Sequence, residues 1–216
     1  MDDFLVEELA SSPEPGLRQW LFDPFTYLAG GSALALGLAA ILLAGFVGAL
    51  TNTHFDGVLD IHTGRAAPLG TFLAEGLVNW LSISIVLLIL GRIVSKTSFR
   101  SIDMLGTQAM ARWPTLIAAI ATLAPPYQRY VAQLSWKLLG VGEQVPLHST
   151  DPAFFGVIAI VSILMMIWMV MLMYRAYTVC CNISGARASV TFVIGLLVSE
   201  VVSKIAILRL LMLQQG

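Results

Sequence analysis

The sequence predicts an all-α polytopic membrane bundle of five transmembrane helices, with its N-terminus cytoplasmic and its C-terminus extracytoplasmic. Three observations predict it. Hydrophobic residues make up 57% of the 216 and charged residues 12%, where a soluble domain averages about 25% charged. The apolar residues gather in long uncharged runs; 24–53 holds no Asp, Glu, Lys, Arg or His, and 152–174 is equally clean. Each run exceeds the roughly 20 residues that a helix needs to cross a hydrocarbon core of about 30 Å. In lipid, a helix satisfies its backbone amides within one segment, which an isolated strand cannot do.

Residues 1–22 are predicted to form an acidic cytoplasmic tail, and 23–216 the membrane domain. In the tail, Asp2, Asp3, Glu7 and Glu8 surround Phe4, Leu5, Val6 and Leu9, before the breaker SSPEPG. That pattern reads as a short acidic helix with a linker, or as a docking peptide for a cytoplasmic partner. The start is acidic where a cleavable signal needs a basic stretch, so the first apolar run is read as a retained span. Trp20, Phe22 and Phe25 precede it, as an interfacial aromatic belt would.

The first span is expected over 27–50 and the second over 71–94, with Glu75 and Asn79 inside it. The fourth is expected over 152–174 and the fifth over 188–211, the latter carrying Glu200 and Lys204. The third is short. From Trp113 to the Pro125-Pro126 break only about 12 residues are clean, or about 18 Å of helix. To cross, it must start near Met104, carry Arg112 with it, and follow an interfacial turn at SFRSID. With the N-terminus inside, the inner cations are Arg18, Arg92, Lys96, Arg100, Arg112, Arg175 and Arg187, and the outer ones Arg65, Arg129, Lys137 and Arg209. The excess on the inner side sets the orientation.

Composition also excludes. A net charge of −1 without a Lys/Arg cluster gives no nucleic-acid surface. No H-E-x-x-H, G-x-S-x-G or P-loop is present, so neither an enzymatic site nor a cofactor is expected. The adjacent Cys180 and Cys181 read as packing residues rather than a thiol or lipid-attachment site. Asn182-Ile183-Ser184 forms a sequon on the side where glycosylation does not occur.

Two groups hold possible chemistry. In the outer loop THFDGVLDIHTG, His54, Asp56, Asp60 and His62 fall on even positions, which an extended strand would present on one face. They are weak candidates for a divalent metal; the expectation is a solvated loop whose histidines can be removed without loss of stability. The second group is Glu75, Asn79, Glu200 and Lys204. Intramembrane ionisable groups mark ion paths or internal pairing. Counting residues by depth places Glu75 level with Lys204, and Asn79 level with Glu200, so a two-rung ladder between spans two and five is expected. Arg92, Lys96 and Arg100 form a basic stripe and, with Arg112, are candidates for headgroup or partner contact.

The stretches GLVNWLSISIVLLILGRIVSKTSFRSIDMLGTQAMARWPTL and MMIWMVMLMYRAYTVCCNISGARASVTFVIGLLVSEVVSKI resemble the bacterial branch of the Yip-domain family, related to Ypt/Rab-GTPase-interacting proteins. The resemblance covers roughly 23–211, and the segment DMLGTQAMARWP is its most specific part. It implies five transmembrane helices, a cytoplasmic N-terminus and a multi-pass protein of the cell membrane, the bacterial inner membrane in this branch. It further implies a non-enzymatic scaffold acting through another membrane complex, such as an ABC-type exporter, or as a homo-oligomer in the lipid bilayer. The competing expectation is a small transporter or channel using Glu75, Glu200 and Lys204. The Gly30, Gly31, Gly37, Gly45 and Gly48 series of the first span predicts close helix approach.

Overall fold

The computed structural model describes residues 16–140 and 142–215. The acidic part of the expected tail, with its docking-peptide reading, lies outside the described residues. Helix α1 (Leu17–Phe22) and a single 3₁₀ turn (Pro24–Thr26) lead into α2 (Gly30–Thr51). Two-residue strands β1 (Thr53–His54) and β2 (His62–Thr63) follow, then α3 (Leu69–Val94), α4 (Ser101–Met110), α5 (Pro114–Ala121), α6 (Pro125–Leu139), α7 (Asp151–Cys181) and α8 (Gly185–Gln215). The fold is all-α, and α2, α3, α7 and α8 are long and apolar enough to cross a membrane. These four fall on the expected first, second, fourth and fifth spans. The last two run longer than expected; in α7 neither Gly nor Pro follows Tyr174 until Asn182 closes the helix in a left-handed conformation.

The expected third span is not one helix. Pro114 has no N–H to give the carbonyl of Met110, so the α-helical ladder stops there. The chain instead makes i→i+3 turns, Trp113 N–H to Met110 O at 3.1 Å and Leu116 N–H to Trp113 O at 3.0 Å, before α5 resumes. A second break falls at Ala124, held extended by the proline that follows it. Up to the second break, α4 and α5 together run alongside α2 in the same direction. Gly106 meets Gly30, Ala109 meets Gly37, and Thr122 meets Thr51. The approach is close because both helices carry glycine. A Cβ on Gly37 would sit 2.3 Å from the Ala109 carbonyl carbon, and one on Gly106 would sit 2.3 Å from the Gly30 oxygen.

The helices share two ends. At one end lie Thr51, the β1–β2 loop, Thr122 and the Arg129–Asp151 ion pair at 2.7 Å. At the other, Trp168 donates to the Leu21 carbonyl at 3.0 Å, Arg175 pairs with Asp23, and Ser95 donates to the Cys181 carbonyl at 2.7 Å. Between the ends the core is mainly apolar, built from Ile83, Leu87, Met169, Leu172, Met173 and Tyr177, with Gln108 and Arg112 buried beside it. The outer face is apolar as well: Ile85, Ile89, Ile163, Ile167, Val193 and Leu197 are all exposed. A surface that apolar is the expected boundary with hydrocarbon rather than water.

Candidate functional site

Glu75 and Asn79 of α3 and Glu200 and Lys204 of α8 converge on the loop between β1 and β2. Asn52 ends α2 in a left-handed conformation. The chain then pairs Thr53 with Thr63 and His54 with His62 across two short antiparallel strands. Between those pairs it does not stay extended. It drops into the bundle and buries Phe55 and Val58, so the even positions share a strand face only at its two ends.

A backbone pushed between helices needs partners for its amides, and the intramembrane side chains supply them. Glu75, 1% exposed, accepts the Phe55 N–H at 3.0 Å and bonds His54 Nδ1 at 2.7 Å. Asn79 donates to the Phe55 carbonyl at 2.5 Å. From α8, Glu200 accepts the Leu59 N–H at 2.9 Å, while Lys204 reaches Asp60 at 2.6 Å and Glu200 at 3.5 Å. Glu75, Asn79, Glu200 and Lys204 therefore lie around one structure, as their depth suggests. The expected Glu75–Lys204 and Asn79–Glu200 rungs are not its bonds, because the loop takes a partner from each side. Gly57 is what lets it pass: a Cβ there would lie 2.4 Å from a Glu200 carboxylate oxygen.

His54 is not a solvated loop residue. Its Nδ1 faces Glu75 and its Nε2 faces the Arg65 carbonyl at 2.8 Å. A neutral imidazole has one N–H to offer, so two acceptors favour the imidazolium. Burial opposes that charge, but the Glu75 bond, the Arg65 carbonyl and the charges of Glu75 and Asp56 outweigh it, and the pKa rises above the ordinary 6.5. With both nitrogens engaged, His54 has no free site from which to act as a general base.

The possible metal ligands separate. Donor atoms of Asp56, Asp60 and His62 lie within 4.8 Å of one another, with His62 Nδ1 3.5 Å from each carboxylate; His54 belongs to the Glu75 pair instead. Lys204 already holds the far oxygen of Asp60, so a cation of the protein itself sits on this cluster. Its bond and charge outweigh burial and hold the Asp60 carboxyl below its ordinary value.

The basic candidates also divide. Arg92 stacks over the Phe99 ring at 4.6 Å and donates to Ser101 at 3.3 Å, while Lys96 and Arg100 are exposed at the same end. Arg112 is 2% exposed in the turn between α4 and α5, so it cannot meet a headgroup; Pro114, which forces that turn, turns it inward. Among the described residues its Nη1 has no hydrogen-bond partner, nor has Oε1 of Gln108 one turn earlier. Cys181 is fully buried against Gly91, and Cys180 lies 3.3 Å from the Thr107 hydroxyl, both as packing residues.

Two features gave no readable signal in sequence. One is the buried hydroxyl triangle of Thr51, Thr53 and Thr122, at 2.9, 3.2 and 3.0 Å, which ties the end of α2 to the loop and to the end of α5. The other is Gln108, whose amide nitrogen donates to the Met173 carbonyl at 3.0 Å. Comparison of the chain with protein-family models, with curated proteins and with solved structures finds no match.

Proposed function

We propose that the chain is a non-enzymatic integral membrane scaffold or assembly partner of the Yip type. It crosses the cell membrane five times, with the N-terminus cytoplasmic, and acts through another membrane protein or a second copy of itself. An ABC-type exporter in the bacterial inner membrane is the kind of complex the resemblance implies. One observation carries this reading: Glu75, Asn79 and Glu200 are spent on the backbone of the protein's own loop. Groups so engaged fix how α3 and α8 sit rather than lining a path.

The fifth crossing is supported by the α4–α5 run. From Ser101 to Ala121 its 21 residues rise about 31 Å, close to a core of about 30 Å. It starts beside Gly30 and finishes beside Thr51, as a crossing parallel to α2 would. Removing the buried Arg112 from the inner cations still leaves six residues there (Arg18, Arg92, Lys96, Arg100, Arg175, Arg187) against four outside.

The test is a mild-detergent pull-down of the full chain with mass spectrometry of what co-elutes. A scaffold retains one membrane protein, or itself, in near-stoichiometric amount. A small transporter or channel is the second reading, favoured by Nη1 of Arg112 and Oε1 of Gln108, which lack partners among the described residues. Ion flux in proteoliposomes, abolished by Glu200→Gln with the fold intact, would replace the scaffold with that reading.

A further inference from the structure

A cavity of about 440 Å³ opens between α6, α7 and the end of the β1–β2 loop, a size typical of small-molecule sites, which run roughly 300–1,000 Å³. One wall is a single strip of α7: Phe155, Ala159, Ser162, Ile163 and Met166. At 1.5 Å per residue that strip is about 16 Å long, the depth of one leaflet in a core of about 30 Å. Tyr127, Val131, Leu134 and Leu138 of α6 face it. Leu134, Leu138 and Ile163 are exposed, so the cavity opens sideways, where hydrocarbon lies.

Toward the loop end the chemistry changes. A second cavity of about 290 Å³ shares the walls Thr63, Val131 and Ser135 with the first. It adds polar walls from Asn52, Arg65, Gln128 and Glu143. The bond between Thr63 Oγ1 and the Tyr127 hydroxyl, 3.0 Å, lies at the junction. An apolar slot one leaflet deep therefore continues into a polar chamber beside a cation, along neighbouring strips of one helix.

We propose that the paired cavities hold one glycerophospholipid of the leaflet at the loop end, with an acyl chain along 155–166 of α7 and its phosphate against Arg65. A partner helix laid on the slot would leave the polar chamber at its end empty, whereas a lipid fills the slot with a chain and the chamber with its headgroup. The inference rests on the long helices lying in a bilayer and not on the scaffold reading.

The full chain, purified and reconstituted, is photolysed with phosphatidylglycerol bearing an acyl-chain diazirine, and the labelled peptides are mapped by mass spectrometry. Label is expected to concentrate around Leu134 and Ile163. Ala159→Trp fills the slot and should lower that label about tenfold, the loss that roughly 1.4 kcal/mol of affinity represents. Arg65→Glu, on an exposed side chain, should lower labelling by phosphatidylglycerol but not by the matching diazirine diacylglycerol. Circular dichroism and melting verify each fold, and Leu134→Trp fills the slot from the α6 side should Ala159→Trp melt early. Label spread evenly over outer residues such as Ile89 and Val193 overturns the site. So does a folded slot-filling variant labelled like the wild type. Equal loss of both probes in Arg65→Glu overturns the phosphate contact.

Discussion

His54 Nδ1 lies 2.7 Å from Glu75 Oε1, so a residue of the loop is bonded to a carboxylate that α3 buries to 1% exposure. A buried carboxyl group needs well-placed hydrogen-bond partners. Here these are the His54 ring and the Phe55 N–H.

The first prediction is a pH dependence. The folded pKa of His54 is raised above 6.5. Stability from this group is therefore fully present below the unfolded value and is lost as pH rises through the folded value. The melting temperature in detergent should fall on the alkaline side of about 6.5, and His54→Ala should flatten that slope. His62→Ala is the control, since His62 stacks on His54 at 5.8 Å but does not touch Glu75. An unchanged slope in His54→Ala would place the titration elsewhere. The carboxylates nearby act at lower pH: burial raises Asp56, and Lys204 lowers Asp60.

Removing Glu75 should be more damaging than removing either histidine. Glu75→Ala leaves both the Phe55 N–H and the His54 ring without their acceptor, at about 1–3 kcal/mol for each orphaned group. Glu75→Gln restores an acceptor and should recover part of the loss. The two histidines, which the sequence presents as dispensable, should prove unequal, with His54→Ala destabilising and His62→Ala close to neutral. Thermal unfolding monitored by circular dichroism separates these ranks.

A double-mutant cycle can locate the bonds of Lys204. Asp60→Asn with Lys204→Met should be non-additive, by about 0.2–1 kcal/mol for a pair as exposed as this one. Glu75→Gln with Lys204→Met should add, because the loop lies between those side chains. Coupling of the second pair but not the first would restore the direct ladder.

The packing of α2 on α4 gives a fourth test. A methyl on Gly37 has backbone 2.3 Å away rather than a side chain that can swing aside. Gly37→Ala should cost about 1–3 kcal/mol, as overpacking does, while Gly31→Ala, with open space around its Cβ position, should cost little. Equal melting of the two variants would refute the close approach.

The contrast between the long helices and the loop shows what a sequence reveals. Uncharged runs that must bury every amide announce themselves by length, which is why α2, α3, α7 and α8 were legible. The Pro125-Pro126 pair was legible as a break, but the break at Pro114 was not, nor the inward turn of Arg112 that goes with it. Depth counting placed Glu75, Asn79, Glu200 and Lys204 around one site. It could not show that Phe55 to Asp60 stand among them, because that depends on Gly57 and on amides that every residue carries alike. The lipid-sized slot is less legible still, since Ala159 and Ser162 look like ordinary span residues until α6 lies across them.

Topology is the last prediction, and single cysteines on an otherwise cysteine-free background test it. Ala66, Lys96 and Glu143 are exposed, so substitution there leaves the core alone. With five crossings and the N-terminus inside, Ala66→Cys and Glu143→Cys react with an impermeant maleimide added to intact cells, and Lys96→Cys reacts only after permeabilisation. The residue that decides is Glu143, which follows α6. Thr122, just before α6, bonds Thr51, and Tyr127 bonds Thr63, so α6 begins at the end that holds Ala66. Glu143→Cys protected while Ala66→Cys reacts would mean that α4 and α5 turn back without crossing, leaving four crossings. Reaction of Lys96→Cys alone in intact cells would keep the crossings and invert the orientation, against the six inner cations.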